Sequence, residues 1–131
     1  MVVHLDRVAI GLLALVLFVS IPQQHAQADE PIVLTEEEIA SQIIGNTATG
    51  TDSGTRWSEY YEPNGTIRGR WANDPYQGKW TVSGSEMCFD YAGTSDDGCW
   101  TMTLEGDDIT YYKKGKNDGT AKLLKGNAKN L

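Results

Sequence analysis

Apolar and polar side chains alternate along the middle of the chain, over residues 57 to 104. A period of two is typical of antiparallel strands that bury one face and leave the other in water. Two short segments interrupt the alternation and a third follows it, and each contains a glycine: residues 62–65, 84–85 and 106–107. Glycine reaches the positive φ that tight hairpin turns require. The pattern therefore predicts consecutive antiparallel hairpins in this part of the chain.

The turn at residues 62–65, Glu-Pro-Asn-Gly, fixes the register of the first hairpin. A type I turn followed by a left-handed glycine pairs the residues on either side of it, and counting outward in steps of two separates an aromatic face from a polar face. The register therefore puts the carboxylate of Glu59 on an aromatic surface. The aromatic face carries Trp57, Glu59 and Tyr61 opposite Trp71, Gly69 and Ile67, and the polar face carries Ser58 and Tyr60 opposite Arg70 and Arg68.

The next two hairpins separate their faces in the same way. Trp80 falls opposite Phe89, and Met102 falls opposite Tyr111, both on the apolar side. A shift of the strand register by one residue would move these rings to the solvent-exposed face. The phase of each strand is therefore strongly specified. All four tryptophans share the apolar phase, which predicts that their rings converge on one interior.

Both cysteines lie on neighbouring predicted strands. Cys88 falls opposite Cys99 in the same register that pairs Met87 with Trp100. We expect a cross-strand disulfide, which would stabilise an exported domain by about 2 to 4 kcal/mol. The alternative, a redox-active or metal-binding pair, lacks both a C-x-x-C spacing and accompanying histidines.

A short helix is predicted before the strands, over about residues 36–44. Thr35 and Glu38 have the spacing of a capping box, and Leu34 can pack on Ile39 as a hydrophobic staple. Gly45 stands where a left-handed cap would end the helix. A helix of this length is unstable alone, so we expect its isoleucine stripe to dock on the sheet.

Residues 46–51 and 121–124 are weaker strand candidates, joined to the rest through turns at 52–54 and 117–119. The fold class is therefore mainly β, an antiparallel meander of seven or eight strands with one short N-terminal helix. Such a meander forms a small barrel or a strongly curved sheet. With eight strands, we expect the interior to be largely filled by its own side chains.

The first 28 residues have the features of a cleaved signal peptide. His4 and Arg7 precede a short apolar run, and Ala26-Gln27-Ala28 matches an A-x-A cleavage site. The run is shorter than the roughly 20 residues of a membrane span; an uncleaved anchor is the alternative reading. We expect a single exported domain over residues 29–131, located in the periplasm or secreted.

Composition excludes several functions for that exported domain. Both histidines, His4 and His25, precede the cleavage site, which rules out Ser-His-Asp and Cys-His catalysis and His-based zinc sites. The net charge of −7 removes the electrostatic drive toward nucleic acid or an anionic membrane. We expect no cofactor, no metal, no nucleic-acid or membrane partner, and a monomeric state.

Carboxylates offer the remaining chemistry. The pairs Asp96-Asp97 and Asp107-Asp108 could bind calcium or act as acid and base, but their positions at turns favour a role in backbone hydrogen bonding. Glu59 has two readings: it lines a small pocket beside Gly69, or a strand end or bulge turns it outward.

A second candidate binding surface lies on the polar face of the first hairpin. Tyr60, Arg68 and Arg70 cluster there, and tyrosine and arginine are common at binding hot spots. An ordinary solvated strand surface is the alternative reading. The candidate binding residues from sequence are Trp57, Glu59, Tyr60, Arg68 and Arg70, and we assign no catalytic residue.

A set of short motifs resembles a bacterial domain-of-unknown-function family of short exported proteins. The motifs occur in order over nearly all of the exported part: IIGNT, YYEPNGTIRGRW, GKW, the two cysteines and a late GN. The resemblance implies an exported single domain with no assigned activity, and it transfers no catalytic residue.

Three functions are consistent with these observations. The first is a non-enzymatic exported binding module with a protein partner, such as an inhibitor of a hydrolase. The second is a carrier of a small hydrophobic ligand, with an aromatic pocket near Glu59. The third is a histidine-free hydrolase that uses carboxylates, with Glu59 and Asp96 as candidates.

Overall fold

The structure, a computed structural model, describes residues 30–131. A short α1 (Glu36–Glu38) continues into a turn of wider π-helix (Ile39–Ile43). Eight strands follow and fill most of the remaining chain. They are β1 (Thr47–Asp52), β2 (Thr55–Tyr61), β3 (Thr66–Trp71), β4 (Asp74–Ser83), β5 (Glu86–Asp90), β6 (Gly98–Glu105), β7 (Asp108–Lys113) and β8 (Lys116–Leu124).

The strands form a closed antiparallel barrel. Each strand pairs with the next in sequence, and β8 returns to pair with β1, so the sheet closes on itself. The predicted meander is confirmed, with eight strands and a barrel. Closure removes the exposed sheet edges that a curved open sheet would leave.

The predicted registers are confirmed in all three hairpins. Glu59 lies opposite Gly69, Trp80 opposite Phe89 and Met102 opposite Tyr111, with the neighbouring pairs following in step. Turn geometry explains the agreement, because Gly65, Gly84 and Gly106 have φ of +94°, +60° and +63°, as their predicted turns require.

The last turn differs from the prediction. The sequence indicates a turn at residues 117–119, but the chain reverses at Lys114 and Gly115, whose φ values are +51° and +75°. Residues 117–119 instead belong to β8. There Tyr111 pairs with Gly119 and Tyr112 pairs with Asn117, so Asp118 is the extra residue of a β-bulge.

The helix begins as predicted and ends differently. The Thr35 hydroxyl accepts from the backbone amide of Glu38 at 3.2 Å, and the Glu38 carboxylate accepts from the amide of Thr35 at 2.8 Å, which completes the capping box. Ile44 after the helix is extended, and Gly45 with φ +81° donates to the carbonyl of Tyr61. Gly45 thus ties the helix to β2 instead of capping it.

The helix covers one end of the barrel. The Leu34 amide donates to the Met102 carbonyl at 2.7 Å, which holds the segment before the helix against β6. Six fully buried aliphatic side chains fill this end, which we call the closed half: Ile39, Ile43, Ile67, Met87, Met102 and Ile109.

The seam between β1 and β8 is short. Three residue pairs join these strands, from Thr47 with Leu124 to Thr49 with Lys122. Beside the seam the Thr47 hydroxyl donates to the Gly126 carbonyl at 2.6 Å and accepts from the Ala128 amide at 3.2 Å. Both strands continue past the seam toward the opposite end of the barrel, but there they are no longer paired with each other within the described chain.

The disulfide is confirmed. Cys88 and Cys99 are bonded and lie directly opposite each other on β5 and β6, with their side chains on the outside of the barrel. The bond clips the two strands beside the loop of residues 91–97.

The predicted signal peptide lies outside the described residues. Within residues 30–131, none of the helices has the length and apolar character needed to cross a bilayer.

Candidate functional site

The end of the barrel opposite the helix contains a cavity of about 490 Å³. We call this end the open half. The prediction that side chains fill the interior is therefore correct for the closed half and wrong here. All four tryptophans have the inward phase. Trp57, Trp71 and Trp100 line this space and Trp80 does not, and Trp71 at the mouth is 41% exposed. The aromatic lining consists of Trp57, Tyr61, Trp71, Tyr76, Phe89, Tyr91, Trp100 and Tyr111.

A single carboxylate lies at the floor of the cavity. The side chain of Glu59 points into the barrel and the residue is 6% exposed, so the outward reading of this residue is wrong. Its Oε1 accepts from the hydroxyls of Tyr76 at 2.8 Å and Tyr91 at 2.5 Å, and its Oε2 accepts from Tyr61 at 3.0 Å. Three donors from three parts of the chain therefore fix the carboxylate in one orientation.

Inward-facing glycines make room for the tyrosines. A Cβ at Gly69 would lie 2.1 Å from the ring of Tyr76, and one at Gly78 would lie 2.6 Å from the ring of Tyr91. Each ring therefore lies over a glycine of a neighbouring strand, and both hydroxyls reach Glu59. The predicted gap beside Gly69 exists in the backbone, but Tyr76 occupies it.

Burial changes the acidity of this cluster. Desolvation raises the pKa of Glu59 above its ordinary value, and the three tyrosine hydrogen bonds lower it only in part, while the negative charge of Asp96 raises it further. Burial, together with the charge of Glu59, also raises the pKa values of Tyr76 and Tyr91. The phenols thus remain protonated donors.

Acidic side chains surround the mouth. Asp52, Asp96 and Asp118 line it, and all three are exposed. The bulge in β8 directs Asp118 toward Trp100, whose indole Nε1 donates to Asp118 Oδ2 at 2.7 Å. The Lys113 ammonium lies over the same indole, 4.3 Å from the ring centroid.

The cavity also opens sideways through the barrel wall. Thr51 and Thr120 have the outward phase of β1 and β8, yet both line the cavity. This happens because β1 and β8 separate beyond the seam. The gap between the two strands is therefore part of the cavity boundary.

The structure divides the residues predicted from sequence into two groups. Trp57 and Glu59 line the cavity. Tyr60, Arg68 and Arg70 lie on the outer face of the barrel, where Arg68 Nε pairs with Glu62 Oε1 at 2.8 Å. The five residues therefore do not form one site.

The paired aspartates have different roles: Asp97 binds the backbone, Asp107 and Asp108 pair with a lysine, and Asp96 lines the cavity. Asp97 accepts from the amides of Tyr91 and Gly93 at 2.6 and 2.8 Å, which shapes the loop after β5. Lys122 pairs with Asp107 and Asp108 at the opposite end of the barrel. Among residues 30–131, no group of three or more Cys, His, Asp or Glu side chains is arranged to hold a metal ion.

Sequence reasoning placed Tyr61 on the face of Glu59 but missed two of the tyrosine donors, Tyr76 and Tyr91, and the bulged Asp118. The signal for the tyrosines was present, because each faces an inward glycine across a strand pair: Tyr76 opposite Gly69, and Tyr91 beyond Gly78. A glycine opposite a tyrosine on the inward face indicates that the tyrosine ring lies over the glycine. Its hydroxyl can then bind a polar group on the next strand.

Comparisons with protein-family models, with curated proteins and with solved structures found no match to this chain. The resemblance to a family of short exported bacterial proteins therefore stays a prediction.

Proposed function

We propose that the protein is an exported binding protein that takes a small organic molecule into the open half of its barrel. The observation that carries this proposal is the cavity of about 490 Å³ with a single, fixed carboxylate at its floor. Cavities of about 300 to 1,000 Å³ with apolar walls and a few placed polar groups are the usual form of small-molecule sites.

The arrangement divides the binding between walls and floor. Flat aromatic surfaces such as Trp57, Trp71 and Trp100 provide apolar contact area with little side-chain freedom to lose. Glu59 provides one hydrogen-bonding point that orients the ligand. Because three tyrosines hold its carboxylate in place before binding, the site costs little ordering when a ligand arrives.

The hydrogen bonds of Glu59 favour a role in binding over a role in catalysis. Both oxygens of Glu59 already accept hydrogen bonds from tyrosines, which suits a fixed anchor better than a group that must exchange a proton freely. Asp96 also lines the cavity, so the carboxylate-based hydrolase stays a prediction. It requires activity that is lost in Glu59→Gln and in Asp96→Asn.

Inhibition of a hydrolase also stays a prediction. It would use an outer surface such as that around Tyr60, Arg68 and Arg70, which is separate from the cavity. A pull-down from periplasmic extract tests it. Recovery of an enzyme at stoichiometric level that is lost in Arg70→Ala but kept in Trp71→Ala would support inhibition.

The test of ligand binding uses N-phenyl-1-naphthylamine, a neutral aromatic probe that brightens in apolar sites. We expect saturable binding with one probe per chain, weakened about tenfold in Trp71→Ala, since each tenfold is about 1.4 kcal/mol of lost contact. Tyr60→Ala on the outer face is the control and should bind as the unchanged protein does. No binding, or equal binding by Trp71→Ala, would contradict the proposal.

A further inference from the structure

The charged side chains that line the cavity all have the same sign. Glu59 lies at the floor, and Asp52, Asp96 and Asp118 lie at the mouth; no lysine or arginine belongs to the lining among the described residues. The Lys113 ammonium does not belong to the lining, and it lies over the ring of Trp100, 4.3 Å from the ring centroid. The cavity interior is therefore a region of negative potential that attracts cations and repels anions.

The aromatic walls favour a cation for a second reason. The face of an indole or phenol ring carries partial negative charge, and an ammonium within about 6 Å of the ring centroid is attracted to it. Three indoles and several phenols line one small space. Rings that surround a single space in this way form the kind of aromatic cage that recognises alkylated ammonium groups.

The protein provides an internal example of this contact. Lys113 Nζ lies 4.3 Å from the centroid of Trp100, and Asp118 accepts from the N–H of the same indole. A carboxylate on the N–H makes the indole more electron-rich, which strengthens its attraction for a cation. The mouth of the cavity therefore already holds one ammonium on an aromatic face.

The carboxylate at the floor lacks a positive partner. Its hydrogen-bond partners are three neutral phenols, and among the described residues no ion pair forms with Glu59. A carboxylate has about four acceptor positions, of which the tyrosines use two on Oε1 and one on Oε2. A ligand cation near this carboxylate would offset the charge that burial penalises.

From these observations we propose that the ligand is an organic cation, an amine or quaternary ammonium that carries an apolar group. The inference rests on the ligand binding proposed above. The positive centre lies among the aromatic rings near Glu59, and the apolar group fills the rest of the open half. A neutral molecule of the same shape gains the contact with the walls but leaves Glu59 without a counter-charge.

The experiment compares three probes that share a phenyl ring and a tetrahedral group: phenyltrimethylammonium, its neutral carbon isostere tert-butylbenzene, and the anion benzenesulfonate. The readout is the set of indole N–H resonances in NMR titrations. Trp57, Trp71 and Trp100 line the cavity. Trp80 donates to the carbonyl of Glu62 elsewhere in the barrel and serves as the internal control.

We expect phenyltrimethylammonium to shift the three cavity resonances and leave that of Trp80 unchanged, with an affinity at least about tenfold above that of tert-butylbenzene. Benzenesulfonate should not bind. Equal or tighter binding of tert-butylbenzene would overturn the cation inference and leave the proposed binding function standing. Failure of all three probes would overturn both, and binding of benzenesulfonate would overturn the inference directly.

The variant Glu59→Gln separates charge from shape. It should weaken phenyltrimethylammonium about tenfold and change tert-butylbenzene by less than about twofold. Glu86→Gln, the same substitution at an exposed position on β5, is the matched control and should change neither. If Glu59→Gln fails to fold, salt dependence decides: added salt must weaken the cation but not the neutral isostere. Salt-independent cation binding would contradict the inference.

Discussion

The two halves of the barrel use the same strands and the same alternation but have opposite interiors. In the closed half, aliphatic side chains such as Ile67, Met87 and Ile109 are fully buried and pack in one hydrophobic cluster. In the open half, a carboxylate and four phenols share the interior with a cavity. One set of eight strands thus supports a packed core at one end and a cavity at the other.

The difference comes from which residues occupy the inward phase. Gly69 and Gly78 take positions that would hold core side chains elsewhere, and the large rings of Tyr76 and Tyr91 lie over them. Rings directed along the wall cover the sheet without filling the space at its centre. The closed half should therefore carry the stability of the protein, and the open half its function.

The largest effect is expected in the closed half. Ile109→Ala removes a fully buried side chain and leaves a cavity among aliphatic neighbours, so we expect the free energy of unfolding to fall by about 2 to 5 kcal/mol. Urea denaturation measures it. A loss no greater than that in Trp71→Ala would remove the distinction between the halves.

Loss of the disulfide should have the next largest effect on the free energy of unfolding. Cys88→Ser with Cys99→Ser reopens a short loop, and we expect a loss of about 3 kcal/mol. The unchanged protein in reducing agent is the matched control and should lose the same amount. If oxidised and reduced protein unfold at the same denaturant concentration, the clip beside the open half does not contribute to stability.

Tyr91→Phe tests the support of the carboxylate. It removes a donor to Glu59, and hydrogen bonds to charged groups contribute about 1.5 to 3 kcal/mol. The pKa of Glu59 should rise further, because one of the bonds that lower it is gone. Carbon-13 NMR of the Glu59 carboxyl group against pH measures this directly. Tyr112→Phe, on the outward phase of β7, should leave the pKa of Glu59 unchanged.

Glu59→Gln should stabilise the empty protein at neutral pH, because burial raises the pKa of Glu59 and thus penalises its charged form. The pKa of Glu59 is raised in the fold, so its contribution to stability is present at low pH and is lost as the pH rises through that pKa. The groups that face it are Tyr61, Tyr76, Tyr91, Tyr111 and Asp96.

The measurement is the melting temperature of both proteins from acid to neutral pH. The gain of Glu59→Gln should be largest at neutral pH and shrink as the pH falls. The opposite result would be a stability of Glu59→Gln, relative to the unchanged protein, that is lower at neutral pH than in acid. It would show that the tyrosine hydrogen bonds stabilise the charged carboxylate by more than desolvation destabilises it.

Trp71→Ala should have the smallest effect on stability. The ring is 41% exposed at the mouth, so we expect a loss of less than about 1 kcal/mol. Binding of the aromatic probe should nevertheless weaken. A large loss of stability in this variant would mean that the open half contributes to the core after all.

Most of the fold could be predicted because turn chemistry and alternation agree. The glycines at 65, 84 and 106 fix the hairpins, and the positions of Glu59 and Cys88 follow by counting. The last turn could not be predicted, since Asn-Asp-Gly at 117–119 is a stronger turn signal than Lys114-Gly115. The pairing of β7 with β8 along their whole length outweighs that local preference. Residues 117–119 therefore form a β-bulge within β8 instead of a turn.

The site was harder to predict than the fold. Finding Tyr76 requires the register of β3 with β4, and that turn consists of Ala72 and Asn73, without a glycine to mark it. Ala72 nevertheless has φ +52°. Whether the interior is filled or hollow also depends on the directions of several rings at once, which alternation alone does not specify.

The seam between β1 and β8 has a consequence for how the protein comes into being. Thr47 pairs with Leu124, although the two residues lie near opposite ends of the domain sequence. The barrel therefore cannot close until the last strand has been synthesised. A nascent chain that lacks β8 is an unfinished ribbon with two bare edges, and such edges invite pairing with other chains. The wall of the cavity around Glu59 is therefore incomplete until β8 has been synthesised.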